Sequence, residues 1–196
     1  MKEKFKLRMR FDFTFFAVVA FLVFVDTQGT AILSLIACIL HEGGHLFAMA
    51  VCGVQPECVT FYGGGIAISK RLDFCPFGKR IFILSAGCLT NALIAASCLL
   101  TMPDNKYAEI FAAVNILILS FNLLPLGYFD GAQLLDTLLT RLMSYKTALV
   151  TKRVIGVLTS AALIGGVILY AVYYKETVSL SLGFVILYLL IAQFIE

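Results

Sequence analysis

Charged residues make up only 14% of this 196-residue chain, against 61% hydrophobic residues and a mean hydropathy of +0.96. An ordinary globular domain is about one quarter charged. That shortage excludes a chain folded for life in water and makes the bilayer its solvent. Long polar stretches are missing as well. The widest polar-leaning gap runs from about Gly53 to Lys79, too short for an appended soluble domain of useful size. The simplest count is one integral membrane domain over residues 1–196. The net charge of +3 is too small to point to a nucleic acid partner, and its positive residues cluster beside apolar segments. The six cysteines form no CxxC pair or other metal-ligand spacing, which argues against a cysteine metal site or a disulfide framework. Several lie in apolar stretches, where a thiol is a small apolar filler. The opening MKEKFKLRMR resembles the charged region of a signal peptide, but no small-residue cleavage site follows, so an uncleaved first span is expected.

Long apolar runs are what the chain has in place of charge. They lie at about Phe13–Val25, Thr30–Val51, Ile81–Met102, Ala108–Leu126, Val154–Tyr174 and Val178–Ile195. The expected fold is therefore an all-α membrane protein of about six transmembrane helices. Gly131–Lys152 reads as an interfacial or partly inserted helix. With the N-terminus and C-terminus both cytoplasmic, thirteen of the fifteen Lys and Arg residues fall inside and only Lys106 and Lys175 outside. Scattered charges would not produce that imbalance, which is the positive-inside bias of a multi-pass protein.

Histidine is scarcer still. The only two are His41 and His45, in the sequence His41-Glu42-Gly43-Gly44-His45 within the second apolar run. On a helix, residues four apart are separated by about 40° around the axis and about 6 Å along it. Two imidazoles on one face can grip one zinc ion, and the intervening Glu42 can act as general base toward water. The plainer reading is two stray polar residues in a membrane helix. Ionisable groups at that depth are costly, which weighs against it. Gly43-Gly44 is weakly helix-forming. It suits either close packing or substrate approach.

Catalytic zinc takes three protein ligands and keeps an open position. Carboxylates near membrane depth are few, and Asp130 is the best placed. It follows Asn122-Leu-Leu-Pro125-Leu-Gly-Tyr-Phe, in which Pro125 interrupts helical hydrogen bonding, and Gly131 allows a sharp turn after it. In isolation Asp130 reads equally well as a helix N-cap.

Taken together, His41-Glu42-x-x-His45 within a span and Asn122-x-x-Pro125-x-x-x-x-Asp130-Gly131 after it resemble the site-2 protease family of intramembrane zinc metalloproteases. A six-span plan without an obvious appended domain is similar to the branch that processes a sporulation sigma factor. The resemblance covers spans two to four, a catalytic core of about residues 30–131. It implies one Zn2+ per chain on His41, His45 and Asp130, with Glu42 as catalytic base. It places Asn122 near the active site, where it helps hold substrate or reaction intermediate. It also implies a membrane-associated protein substrate, an inhibitory membrane partner and a place in a bacterial cytoplasmic membrane. Two departures are visible: Ala132 stands where the family often has a second Gly, and Gly87-Cys88-Leu89-Thr90-Asn91 lacks the Pro common in span three.

Between spans two and three, Gly63-Gly64-Gly65-Ile66-Ala67-Ile68 suggests a short Gly-rich strand or hairpin, with a flexible loop as the alternative. A strand edge can pair with an extended peptide, and in the family a comparable element presents substrate, which makes Gly63, Gly64, Gly65 and Ile66 substrate-binding candidates.

Two other function classes compete. A catalytically silent pseudoprotease that binds membrane client segments has no need of an intact Glu42. A metal transporter needs polar residues along a path through several spans, whereas here they concentrate around one motif. The charge bias makes a direct prediction: a reporter fused after Arg71 should face the cytoplasm, read by the activity of a compartment-specific enzyme fusion, and an external Lys70-Arg71 loop would contradict the topology.

Overall fold

A backbone in hydrocarbon must satisfy its own hydrogen bonds, and the described residues do so with six helices and three strands. The computed structural model describes residues 8–26, 29–62, 65–69, 72, 75–127 and 129–174. In chain order these form β1 (Arg8–Phe11), α1 (Phe13–Val25), α2 (Thr30–Cys52), β2 (Cys58–Tyr62), β3 (Gly65–Ser69), α3 (Phe77–Thr101), α4 (Lys106–Asn122), α5 (Asp130–Leu142) and α6 (Tyr145–Tyr174). Two compact units divide the chain at Ser120 and Phe121.

Three helices among the described residues are long and apolar enough to cross a bilayer: Thr30–Cys52, Phe77–Thr101 and Tyr145–Tyr170. The first and fourth expected spans are helices of 13 and 17 residues, or about 20 Å and about 26 Å long against a hydrocarbon core of about 30 Å. The sixth expected span, with the C-terminus, lies outside the described residues. Large side chains such as Phe24 (89% exposed) and Leu100 (81% exposed) cover the outside of the helices, an arrangement suited to lipid and not to water.

In the first unit the strands form one sheet in the order β1-β2-β3, with β1 parallel to β2 and β2 antiparallel to β3. Phe11 pairs with Phe61 across the first ladder, and their rings stack at 4.5 Å. Phe15 of α1 meets Phe61 edge-on at 5.4 Å. The expected all-α class omitted β1, which arises from the charged N-terminal segment. Its signal is the strict alternation Arg8-Met9-Arg10-Phe11, a period-2 pattern. Asp12 then starts α1: its Oδ1 accepts from the Thr14 N–H at 2.9 Å, and the Thr14 bonds hold this exposed carboxyl below the usual carboxylate range.

Helix α2, which carries the histidines, is fixed at both ends. Asp26 accepts from the Ala31 N–H at 2.6 Å and from the Thr30 hydroxyl at 3.0 Å, and Gly29 turns into the helix at φ 76°. At the other end Gly53, at φ 69°, donates to Ala50 O while Val54 donates to Met49 O, the paired bonds of a Schellman stop. Lys79 of α3 donates to Cys52 O at 2.9 Å, placing a cation at the negative end of the helix dipole.

Helix α4 ends at Asn122, four residues short of the expected Leu126, because Pro125 offers no N–H to continue the ladder. In the second unit the expected interfacial helix Gly131–Lys152 is two pieces. Helix α5 stops at Leu142, and α6 begins at Tyr145 with Ser144 as its start signal: Ser144 O accepts from Ala148 N, and the Ser144 hydroxyl meets Thr147 Oγ1 at 2.9 Å.

The Asp26 cap has a measurable consequence. Asp26→Ala should lower stability by about 1 kcal/mol, as N-terminal cap losses do, seen as an earlier unfolding midpoint in detergent, and an unshifted midpoint would show that the cap is dispensable.

Candidate metal and catalytic site

The spacing of the two histidines places both side chains inward on one face of α2. His41 is 3% exposed and His45 is 1% exposed. Their ring centroids are 5.0 Å apart with the planes nearly perpendicular, at 84°. The ligand atoms of His41, Glu42 and His45 all lie within 4.8 Å of one another, a group able to hold a metal ion. Glu42 is half-buried between two buried imidazoles.

Helix α3 orients both rings. His45 Nδ1 donates to the backbone oxygen of Ile83 at 2.7 Å, and His41 Nδ1 donates to Asn91 Oδ1 at 2.8 Å. With Nδ1 carrying the proton on each ring, the ring lone pair sits on Nε2, the arrangement by which outer partners prepare histidines to bind a metal. Both Nε2 atoms face the same residue. A Cβ built on Gly87 would stand 2.5 Å from His45 Nε2 and 2.6 Å from His41 Nε2. The missing side chain of Gly87 therefore leaves a space at the point where the two Nε2 atoms converge. Two imidazoles and a carboxylate around such a space suit zinc or a similar borderline cation.

The glycines inside the motif divide in role. Gly44 lies against the Thr90 hydroxyl and the Ala86 carbonyl, where any Cβ would collide, so it serves the close packing of α2 on α3. Gly43 has nothing within 4 Å of a Cβ and faces open space.

The other expected site residues lie further along the chain. Asn122 is the half-buried last residue of α4. Asp130 is 5% exposed and opens α5. The N-cap position of α5 is held by Phe129, with Asp130 the first helical residue after it. Gly131 is pressed against the Leu123 and Leu124 carbonyls, with no room for a Cβ. That contact explains the Asp-Gly pair: the chain folds back tightly right after the carboxylate. Gly63 and Gly64 lie outside the described residues; Gly65 and Ile66 begin β3, in register with Tyr62 and Phe61 of β2.

Sequence reasoning missed the part played by Gly87, Asn91 and Ile83. The available signal was the spacing of Gly87 and Asn91, one helical turn apart in an apolar span. The Ile83 contact uses a backbone atom and carries no sequence signal. The cradle predicts that Gly87→Ala will lose bound metal, whereas Gly43→Ala will keep it. Metal content of the two purified variants tests this, and equal occupancy would refute the cradle.

The Peptidase M50B-like family matches residues 14–126, more than half of the chain. Among solved structures, the fold is similar to that of the site-2 protease from Methanocaldococcus jannaschii, with a TM-score of 0.66 and 20% sequence identity over 98% of this chain and 92% of that one. No curated protein matches in sequence. The family match over α1 to α4, which includes the His41-Glu42-His45 cluster, makes this chain a member of the M50B peptidases, the site-2 protease family.

Proposed function

We propose that the chain is an intramembrane zinc metalloendopeptidase that hydrolyses peptide bonds of membrane-associated or membrane-spanning proteins. The observation that carries this reading is the convergence of the two Nε2 atoms over Gly87 with the Glu42 carboxylate alongside. His41, His45 and Asp130 would hold one Zn2+. Support for Asp130 comes from its burial, from the Pro125 break before it and from the tight turn at Gly131.

Bound there, zinc supplies Lewis acidity that brings the pKa of water at the site toward neutrality. The protein's own residues do the rest. Glu42 projects about 100° from His41 around the helix, so it need not be a ligand. Its carboxylate takes a proton from the attacking water and passes it to the leaving amine. Asn122 donates to the oxygen on which charge develops. The buried imidazoles, anchored from α3, keep their orientation through the cycle. No acyl-enzyme is required, since both histidines are committed to metal.

A helical substrate hides its peptide bonds in its own ladder and must be locally unwound. β3 is an outer strand of the sheet and packs on α2; Gly65 and Ile66 form the candidate edge for an extended substrate, and Gly63 and Gly64 remain candidates by sequence alone. By resemblance, the setting is regulated intramembrane proteolysis in a bacterial cytoplasmic membrane, with a sigma-factor precursor as a candidate substrate and an inhibitory membrane partner. The charge bias places both termini in the cytoplasm, with the lipid bilayer as the surrounding partner and no nucleic acid.

Co-expression with candidate membrane substrates tests the reading. Glu42→Gln keeps size and hydrogen bonding but removes the base. It should retain zinc while cleavage falls by about 10²–10⁴. His45→Ala and Asp130→Ala should lose zinc and cleavage together. Cleavage by Glu42→Gln at the wild-type rate would reject the mechanism, and no cleavage by wild type of any membrane peptide would favour the pseudoprotease.

A further inference from the structure

The two histidines are oriented by unequal means. His45 Nδ1 meets the Ile83 backbone oxygen, which can only accept, so that ring must carry its proton on Nδ1. His41 meets the side-chain amide of Asn91. An amide has an acceptor at one end and a donor at the other, and a half-turn exchanges them. Reversed, Asn91 would present N–H to His41, force the proton onto Nε2 and remove the lone pair a metal needs. Asn91 orients His41 only if something orients Asn91.

Asn91 Nδ2 donates to Asn115 Oδ1 at 3.1 Å, and Asn115 Nδ2 donates to the Phe111 backbone oxygen at 2.8 Å. Both asparagines are fully buried. The series therefore ends, two helices on from the histidines, on a group that cannot donate. That end defines the direction of every bond before it. Phe111 O makes Asn115 point its nitrogen backward and its oxygen toward Asn91. Asn91 then points its nitrogen to Asn115 and its oxygen to His41, and His41 places its proton on Nδ1.

We propose that Asn115 is a positioning residue of the metal centre: acting through Asn91, it fixes the tautomer of His41 and keeps the Nε2 lone pair on the Gly87 side. The inference rests on the metal reading above and adds to it a residue on α4 that lies outside the histidine motif and the Asp130 segment.

Zinc affinity of the full chain in detergent, measured by competition with a chromogenic chelator, tests it in the wild type and four variants. Asn115→Leu should weaken zinc by roughly 10–100-fold, the usual consequence of losing an outer partner of a metal ligand. Asn115→Asp keeps an acceptor for Asn91 Nδ2 and should hold zinc more tightly than Asn115→Leu. The decisive comparison adds Asn91→Asp, whose carboxylate presents an acceptor to His41 either way round. In that background Asn115→Leu should change affinity by less than about twofold, within ordinary additivity error. A role in packing alone predicts equal losses in both backgrounds, and that result would overturn the proposal. So would wild-type affinity in Asn115→Leu, or Asn115→Asp as weak as Asn115→Leu. If the wild-type chain itself binds no zinc, the metal reading fails, and this proposal fails with it.

Discussion

The close approach of α2 and α3 is the constraint on which the histidine site depends. In lipid there is little hydrophobic force between helices, so close packing of small residues has to hold them together. Gly44 brings its backbone against Ala86 and Thr90, and Gly87 yields its side-chain volume to the two imidazoles. At that separation α3 supplies what α2 cannot, a partner for each Nδ1. A histidine pair on a lone helix would have the right spacing but free rings. Here the second helix turns spacing into orientation.

Polar groups in the described helices fall into two sets. Ser34, Thr90, Thr101, Ser120, Thr137 and Thr159 return their hydroxyls to carbonyls four residues back in their own helices. Such bonds silence a polar group in an apolar setting and carry no message outward. His41 and Asn91 reach across to other helices, and Asn115, anchored by its own helix through Phe111 O, accepts from Asn91 of α3. This inter-helical network ends at the candidate metal ligands.

In the second unit a helix is broken. Pro125 ends the ladder after Asn122, Gly127 adopts φ 51°, and Gly131 closes against the Leu123 carbonyl. The result is a buried carboxylate at the head of α5, behind an extended Phe129. Burying a carboxylate such as Asp130 is unfavourable unless a partner compensates, so its 5% exposure marks it as a paired group.

The sequence by itself determined the membrane solvent, the helical character, the grouping of His41, Glu42 and His45 and the end of α4, because these follow from short-range facts: apolar run length, the four-residue step of a helix and the broken backbone at Pro125. The same local rules could have identified Arg8–Phe11 as a strand by its alternation and Ser144 as the start of α6. Tertiary structure alone decided the rest. The pairing of β1 with β2 joins residues about fifty positions apart, and so does the bond from His41 to Asn91. The contact of His45 with Ile83 uses a backbone oxygen, an atom every residue has. The role of Gly87 is the absence of a side chain where two rings meet. None of these leaves a periodic trace along the chain, because each depends on which helix lies beside which, and at what distance.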